Sequence, residues 1–501
     1  MIMRAVTVVF LALFILPVAA VGGDQMPAEL DAALAKAITD WGVPGVAIVI
    51  VKDDQVVAAK GYGVRELGKL GKVDGETIFD IASLTKSFTA AGAAVLVDAG
   101  QLKWDDRVAE ILPAVTFNDE CIGREVTLRD LLSHRTGLQP ANSTFVFFGF
   151  DRAHILDCVQ YLQPQRPFRT GMVYSNILYT VAGEMTAAAA KTTWEELVRS
   201  RVVAPAGMKF TAVGKRPSVK NIATPHAAFD GKQRPIRPYD FSMVAPSASI
   251  YTNAVDLARW LRLQLNDGLI DGTQVISKAS MEEMHSPQTI ISTTAEMRAA
   301  RHVEFFGAYG LGWQIMDYRG EPLHWHTGNA DGMPVYMALL PRKKLGVAVM
   351  MNTWAVGTFH GTLAGMILDH YLGVPLEDVS GDMLTRHQQA VEDERKEKTS
   401  LAERKAAASP PPQPLEAYAG VYTAELYGDI TVAVKNGRLT MQLGQGDRAT
   451  LIHDADNTFF VDWEEPLHHE VFYNTKASID PGDGRLEMQL NRDRVEATRQ
   501  K

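Results

Sequence analysis

Strand-like segments occur in two widely separated parts of this chain, with a long helical region between them. The first pair lies in VAIVIVKDDQVVAAKGYG and flanks the polar pair Asp53-Asp54, which predicts a hairpin. The second group lies in YGLGWQIMDYRG, PLHWHTGNADG and PVYMALLPRKKLGVAVMMN, ahead of a helix that starts near His360. A sheet has to bury a face against another layer of structure. The pattern therefore predicts an α+β fold: one antiparallel sheet built from both groups of strands and flanked by helices, with a mainly helical region inserted between them.

A shift in composition marks the end of this predicted main domain, which spans residues 23–380. The stretch HQQAVEDERKEKTSLAERKAAASPPPQP is dense in charge, predicts a helix and ends in a proline run. It is typical of a semi-rigid linker, which we place at 381–413. Beyond it, alternating runs on either side of Asn436-Gly437 predict a hairpin. Further short runs complete a small all-β barrel over residues 414–501.

Residues 1–22 predict a secretory signal peptide rather than a part of the fold. The basic start MIMR precedes the apolar run AVTVVFLALFILPVAA, and the small residues VAAVGG end the segment. An uncleaved membrane anchor is the alternative, although the run is short for a bilayer span. We therefore expect a secreted or periplasmic protein that is not stably inserted in a membrane after cleavage.

Charge and cysteine content exclude several kinds of partner. Lys and Arg number 50 against 59 Asp and Glu, a formal net charge of -9, and long basic clusters are absent from the sequence. Neither nucleic acid nor an anionic membrane is therefore an expected partner. Cys121 and Cys158 either pair in an oxidising compartment or remain free thiols. Because no Cys/His spacing is typical of a zinc site, neither a metal nor another cofactor is expected.

The segment FDIASLTKSFTAAGAAVL places Ser83 and Lys86 three residues apart at the start of an unusually apolar helix. Positions i and i+3 share a helix face, so both side chains can face one point, close to backbone N–H groups that favour negative charge. A serine hydroxyl is a poor nucleophile until a base takes its proton. Burial lowers the pKa of a lysine and lets it act as that base. Alone, however, a Ser-x-x-Lys pair occurs by chance in many chains.

Two further motifs strengthen this interpretation. Tyr174-Ser175-Asn176 lies just before a predicted helix, and His326-Thr327-Gly328 ends a strand-like run. With Ser83-x-x-Lys86, and in this order, they resemble the three motifs of the serine β-lactamase and penicillin-binding-protein superfamily. The Tyr-x-Asn form and the segments VTLRDLLSHRTGL, PSASIYTNAVDLARW and YGLGW resemble its class C β-lactamase branch, which has D-aminopeptidase and esterase relatives. The resemblance covers most of the predicted main domain.

The resemblance implies a role for each motif residue. Ser83 is the expected acylating nucleophile, and Lys86 and Tyr174 are expected to share proton transfer. The backbone N–H groups of Ser83 and Asn329 are expected to form an oxyanion hole. Substrate and transition-state binding is expected from Asn176, His326, Thr327, Gly328 and Asn329.

His326 departs from the family pattern, because the β-lactamases usually carry Lys at this position. A histidine is about half-charged only near pH 6.5, so the replacement puts efficient β-lactam hydrolysis in doubt. If His326 acts through its charge, activity should change near the histidine pKa. His324 with His326 could be imagined as a metal pair, but packing is preferred since no third ligand is in view. Asp331 is either a turn residue or an anchor for a substrate ammonium, and His134 is interpreted as structural.

The C-terminal domain resembles the small lipocalin-like barrel that follows some of these hydrolases. The resemblance implies that it covers the mouth of the active site or helps to assemble homo-oligomers. A passive stability or spacing module is the alternative. The sequence as a whole predicts an exported serine hydrolase that forms an acyl-enzyme on small amides or peptides, with D-residues among the candidates. A carboxylesterase of the same fold and a non-catalytic penicillin-binding sensor are the alternatives.

Overall fold

The computed structural model describes residues 26–292, 306–376 and 379–500. The predicted signal peptide and most of the segment TTAEMRAARHVEFFG lie outside these residues.

The largest sheet joins strands from both ends of the predicted main domain, which confirms the α+β interpretation. Within the described residues it has eight strands, and every neighbouring pair is antiparallel. From edge to edge their order is β3-β4-β5-β6-β7-β8-β1-β2. Their bounds are β1 Gly45–Lys52, β2 Gln55–Gly63, β3 Thr289–Ile291, β4 Gly307–Tyr309, β5 Gln314–Tyr318, β6 Glu321–Ala330, β7 Met333–Leu340 and β8 Leu345–Met351.

The sheet is covered by helices on both faces, so its central strands are apolar throughout rather than alternating. Successive side chains of a strand point to opposite faces. Val46, Ile48 and Ile50 of β1 enter a core shared with helices α1 and α5, whereas Ala47 and Val49 enter the core of the helical region. The long helices that pack around the sheet are α1 Ala28–Asp40, α2 Thr85–Asp98, α3 Asn176–Ala190, α4 Ala254–Leu265 and α5 Phe359–Tyr371.

The helical region between β2 and β3 carries short elements besides α2, α3 and α4. Its short helices are Val108–Ile111, Glu120–Glu125, Leu128–Leu132, Ser143–Val146, Arg152–Asp157, Trp194–Val198, Ala245–Ala248 and Lys278–Met284. Its short strands are Phe79–Asp80, Ala212–Val213, His226–Phe229, Lys232–Pro235, Ile250–Thr252, Leu269–Ile270 and Thr273–Gln274. They hold α2 at the centre of the molecule, where most of its residues are buried.

The predicted C-terminal all-β domain is a closed barrel whose strands all lie within the described residues 420–499. Asn436 and Gly437 form the predicted turn, with φ of 52° and 71°, both positive as a two-residue type I′ turn requires. The barrel strands are β9 Gly420–Ala424, β10 Gly428–Lys435, β11 Arg438–Leu443, β12 Arg448–Ala455, β13 Thr458–Trp463, β14 Lys476–Asp480, β15 Arg485–Leu490 and β16 Asp493–Arg499; the short helices Leu415–Tyr418 and Pro466–Val471 accompany them.

The charged segment between the two domains is a helix docked on both of them. This helix, α6 (Val379–Ala406), receives a hydrogen bond at the carbonyl oxygen of Ser380 from the indole N–H of Trp41, at 3.2 Å. Three ion pairs then tie its second half to the barrel: Lys398 to Glu470, Arg404 to Asp454 and Lys405 to Asp462. The segment therefore fixes the barrel against the main domain more firmly than a free spacer would.

Both cysteines are free thiols, Cys121 exposed and Cys158 buried. No helix in the described part of the chain has the length and apolar character that a membrane crossing requires.

We expect Phe88→Ala to destabilise the protein by about 3–5 kcal/mol, because it removes a large buried ring from the centre of the core. The Phe88 ring of α2 is fully buried and stacks on Trp260 of α4 with ring centroids 3.8 Å apart. Urea denaturation followed by fluorescence measures the change. Leu70→Ala is the control, since Leu70 is 96% exposed and should stay within about 0.5 kcal/mol of the parent protein. Equal midpoints for the two variants would contradict this account of the core.

Candidate active site

Ser83 lies in a short 3-10 turn, Ala82–Leu84, immediately before α2 rather than inside it. Ala82 has a φ of 43°, a left-handed conformation that costs a non-glycine residue about 1–2 kcal/mol. The carboxylate of Asp80 accepts a hydrogen bond from the Ala82 N–H at 2.8 Å and holds this turn. Burial raises the pKa of Asp80 to about 7. In this turn the Ser83 side chain is partly exposed, whereas the first residues of α2 are buried.

Lys86 is completely buried, and its amine contacts three oxygen atoms. The Lys86 Nζ lies 3.1 Å from Ser83 Oγ, 2.7 Å from Asn176 Oδ1 and 2.9 Å from the carbonyl oxygen of Ser247. The two amide oxygens can only accept hydrogen bonds. A neutral amine therefore donates its two hydrogens to them and offers its lone pair to the Ser83 hydroxyl.

The neutral form of Lys86 is also the one that its surroundings favour. Burial lowers the pKa of Lys86 well below its ordinary value, since a cation loses its hydration when it enters a low-dielectric interior. The apolar helix of the sequence thus places an uncharged amine next to the Ser83 hydroxyl.

Tyr174 is held beside this pair by the residues around it. Ser175 caps α3, because its side chain accepts a hydrogen bond from the Leu178 N–H. The ring of His134 packs on Tyr174 with centroids 4.3 Å apart, and His134 Nδ1 accepts from the Ser175 N–H at 3.2 Å. Burial raises the pKa of Tyr174, while a hydrogen bond with the Ser83 side chain acts in the opposite direction. At neutral pH, therefore, Tyr174 is a phenol and not a phenolate.

Strand β6 runs directly against the Ser83 turn. A Cβ atom added to Gly328 would lie 2.1 Å from the carbonyl oxygen of Ile81, so only glycine permits this approach. Strand β5 pairs with β6 only as far as Trp325. Among the described residues, the edge of β6 from His326 to Ala330 therefore has no strand partner on that side.

His326 is buried and neutral, so it does not carry the charge near pH 6.5 on which a change of activity would depend. Burial, with a contribution from Lys86, lowers the pKa of His326 to about 3. Its Nδ1 lies 2.7 Å from the carbonyl oxygen of Thr327 and must carry the hydrogen, so Nε2 accepts from the Tyr309 hydroxyl at 2.9 Å. Both ring nitrogens are thus occupied within the protein, and His326 supports β6 instead of presenting a cation.

Thr327 and Asn329 point to places that the sequence did not indicate. Thr327 lines a cavity of about 490 Å³ together with Tyr336 and His360, between the sheet and α5. Asn329 is exposed, and its side-chain oxygen accepts a hydrogen bond from the Trp354 indole at 2.6 Å. The backbone of Asn329, one residue after Gly328, is the part of it that lies close to the Ser83 turn.

A second cavity, of about 650 Å³, opens between the main domain and the barrel. Its main-domain wall includes Val146 and Asp331, two residues beyond Asn329, and its barrel wall includes Asp447, Glu465 and His468. Burial raises the pKa of Asp331 to about 6, although the nearby His468 acts against this shift. The cavity presents carboxylates near the end of β6.

The remaining histidine of β6 takes part in packing. The His324 ring lies against that of His285 with centroids 4.6 Å apart, and burial lowers the pKa of His324 to about 4. Within residues 26–292, 306–376 and 379–500, no group of three His, Cys, Asp or Glu side chains could hold a metal ion.

Three contact residues were missed by the sequence reasoning. Ser247 supplies a carbonyl oxygen to Lys86, Tyr309 donates to His326, and the Asn142 side chain accepts from Asn176 Nδ2 at 3.2 Å. Ser247 and Tyr309 lie in the segments PSASIYTNAVDLARW and YGLGW, whose resemblance to the family was the available signal. Asn142 lies in ANSTFVFFGF, which carried none.

Residues 30–372 match the family model described as Beta-lactamase. The chain belongs to the beta-lactamase family. This family is one of serine hydrolases with the fold described above, which confirms the resemblance inferred from the motifs. Residues 404–497 match a second model, described as a domain of unknown function (DUF3471).

Curated relatives are 26–27% identical to the chain over the residues that align. Unguisins hydrolase ungD of Aspergillus violaceofuscus is 27% identical over 382 residues, which cover 70% of this chain and 65% of that protein. The match thus spans less than two thirds of that relative's length. Penicillin-binding protein 4 of Amycolatopsis lactamdurans is 26% identical over 347 residues, which cover 68% of this chain and 89% of that protein.

Solved structures show the same fold with the barrel included. The octameric penicillin-binding protein homologue from Pyrococcus abyssi superimposes with a TM-score of 0.59 at 21% identity, covering 93% of this chain and 99% of that one. SurE with D-Leu superimposes with a TM-score of 0.55 at 17% identity, covering 94% and 99%.

We expect the buried His326 to lower the folding stability of this protein in acid. The pKa of His326 is about 3 in the folded state and about 6.5 in an unfolded chain. The unfolded chain therefore binds more protons as pH falls below about 6.5, and folding stability falls with it. In His326→Gln, whose amide also donates and accepts, the drop in urea midpoint from pH 7.5 to pH 5 should be smaller. An equal drop in both proteins would show that His326 titrates normally.

Proposed function

We propose that this protein is an exported serine hydrolase that forms an acyl-enzyme on Ser83 and hydrolyses small amides or peptides. The observation that carries the proposal is the 3.1 Å contact between Ser83 Oγ and the fully buried amine of Lys86. A buried neutral amine with two of its hydrogens already donated has its lone pair directed at one hydroxyl. Export rests on the N-terminal sequence alone.

Acylation begins when Ser83 Oγ attacks the substrate carbonyl carbon and its proton passes to Lys86 Nζ. The negative charge that develops on the carbonyl oxygen is met by the backbone N–H groups of Ser83 and Asn329. Tyr174, a phenol at neutral pH, then donates its proton to the leaving nitrogen and is reprotonated from Lys86. The C–N bond breaks, the amine leaves and the ester on Ser83 remains.

Deacylation uses the same groups in reverse. A water molecule loses its proton towards Tyr174 and Lys86, attacks the ester carbon and displaces Ser83 Oγ. The hydroxyl of Ser83 regains a proton and the acid leaves. Asn176 keeps Lys86 in place throughout, since its Oδ1 lies 2.7 Å from the lysine amine.

The cavity between the main domain and the barrel supports a substrate with a free ammonium group. It adjoins the end of β6, where a peptide would pair, and four carboxylates line it, from Asp240, Asp331, Asp447 and Glu465. Asp447 is engaged by His468. Asp331 lies two residues beyond Asn329, in the turn that follows β6. It is therefore the carboxylate nearest in sequence to the Asn329 N–H of the proposed oxyanion hole. This supports an amino-terminal peptide or amino-acid amide as the substrate class, with D-residues among the candidates.

We expect Ser83→Ala to abolish covalent labelling by a fluorophosphonate probe, and Lys86→Met to slow it by about 10²–10⁴-fold, the usual contribution of a general base. In the parent protein, labelling should fall as pH drops through the lowered pKa of Lys86, because the protonated amine cannot accept the Ser83 proton. Intact-mass spectrometry measures the rates.

Ser87→Ala is the matched control, because Ser87 is a second serine next to Lys86 that is buried in α2 and whose hydroxyl donates to the Leu84 carbonyl. Undiminished labelling of Ser83→Ala would refute the proposed nucleophile. A long-lived penicillin adduct without turnover would favour the penicillin-binding sensor, and turnover of esters alone would favour the esterase.

We expect Asp331→Asn to lower kcat/KM about tenfold, equivalent to about 1.4 kcal/mol, for amino-acid amides with a free ammonium group. N-acetylated analogues, which carry no charge to bind, should be unaffected. Asp230→Asn is the control, since Asp230 is exposed on another turn. If both substrate series change equally, Asp331 does not select for the ammonium group.

A further inference from the structure

The segment 141–150 lies between the proposed active site and the barrel, and the barrel holds it firmly. The backbone N–H of Asp447 donates to the Phe147 carbonyl at 2.8 Å. The ring of Phe147 packs on Trp463, with centroids 5.2 Å apart. A Cβ atom on Gly446 would lie 2.0 Å from the Phe147 carbonyl oxygen, so the two backbones meet without a side chain between them. The position of this segment is therefore set by the barrel.

Ser143 is the residue of this segment that bonds to Asp493, the first residue of β16. The carboxylate of Asp493 accepts a hydrogen bond from the Ser143 N–H at 2.7 Å. The Ser143 hydroxyl donates to the carbonyl oxygen of Leu490 at 3.2 Å. Asp493 is only 6% exposed, so water competes poorly for this carboxylate. In both hydrogen bonds the two residues are more than 340 positions apart in the sequence.

Asn142, the residue before Ser143, links this segment to Lys86 through Asn176. The Asn142 side-chain oxygen accepts from Asn176 Nδ2 at 3.2 Å, and Asn176 Oδ1 accepts from Lys86 Nζ at 2.7 Å. A side-chain amide has two orientations that differ by a half turn. With Asn142 in place, the oxygen of Asn176 faces Lys86; without it, the NH₂ group can face the amine, and Lys86 loses an acceptor.

We propose that Asp493 of the barrel is a positioning residue for Lys86, acting through Ser143, Asn142 and the amide of Asn176. The inference rests on the proposed function, because it takes Lys86 to be the base that activates Ser83. It assigns Asp493 of the barrel a part in the chemistry of the main domain, and Asp493 performs this part through Ser143 and Asn142 rather than through the substrate.

The test is the rate at which a fluorophosphonate acylates Ser83 in full-length variants, measured across pH. Asp493→Ala should reduce the rate about ten- to a hundredfold, because small displacements of a catalytic group carry penalties of this size. Its acid limb should move to lower pH, since an ammonium that has lost an acceptor gives up its proton more readily. Asp493→Asn keeps an oxygen for the Ser143 N–H and should restore both the rate and the profile.

Two further variants separate positioning from general destabilisation. Asn142→Ala should reproduce the effect of Asp493→Ala, and the double variant should be no slower than either, because both break one chain of contacts. Asn457→Ala removes the acceptor of the Tyr418 hydroxyl inside the barrel, so it should lower the melting temperature and leave the acid limb in place.

Asp493→Ala with the parent rate and pH profile would overturn the proposal, as would a double variant whose effects simply add. If Asp493→Ala does not fold, Ser143→Ala replaces it with the same criteria at a smaller effect. This variant removes the side-chain hydrogen bonds of Ser143 to Leu490 and Asp493 and keeps the bond from its backbone N–H to Asp493. Failure of the proposed function has a different signature: the parent protein itself would show no labelling on Ser83, and the positioning role would then be rejected with it.

Discussion

The arrangement of the candidate site depends on the exclusion of water from the amine of Lys86. In the proposed mechanism Lys86 accepts the Ser83 proton only while water is excluded from its amine. That exclusion comes from a helix whose residues from Thr85 to Ala94 are all buried. Helix α3 and the short helix Ala245–Ala248 pack on α2 and supply part of this enclosure. Three oxygen atoms around the amine replace the lost hydration. A buried cation at this place would be costly, whereas a neutral amine with satisfied hydrogen bonds is not. Stability and reactivity therefore make the same demand here.

The site is assembled from parts of the chain that lie far apart in sequence. The Ser83 turn lies near the start of the helical region, Asn176 and Ser247 lie about 90 and 160 residues further along it, and β6 follows it. Because β6 passes the turn at the distance that Gly328 permits, the backbone of the strand and Ser83 keep a fixed separation. The strained φ of Ala82, anchored by Asp80, serves the same end from the other side. Rigid surroundings of this kind are what preorganised stabilisation of a transition state requires.

Sequence reasoning reached the fold and the core of the site because both have local signals. Alternating runs identified the hairpins at Asp53-Asp54 and Asn436-Gly437, and spacing together with family resemblance brought Ser83, Lys86, Tyr174 and Asn176 together. It failed where the outcome depends on long-range packing. The charge of His326 follows from its burial beside Tyr309 and Lys86, the side of the sheet that Thr327 faces follows from strand register, and the role of Asn142 follows from a barrel that begins hundreds of residues later.

One hydrophobic core runs without interruption from α2 through Phe147 and Phe148 to Tyr427 and Trp463 in the barrel. Two folding units that share a core cannot melt independently, because unfolding either one exposes apolar surface on the other. Calorimetry should accordingly record a single cooperative transition. The shared core also limits how the protein could evolve. Loss of the barrel would expose the apolar surface around Phe147 and Phe148 and favour aggregation. A protein without the barrel would therefore need polar residues at both positions.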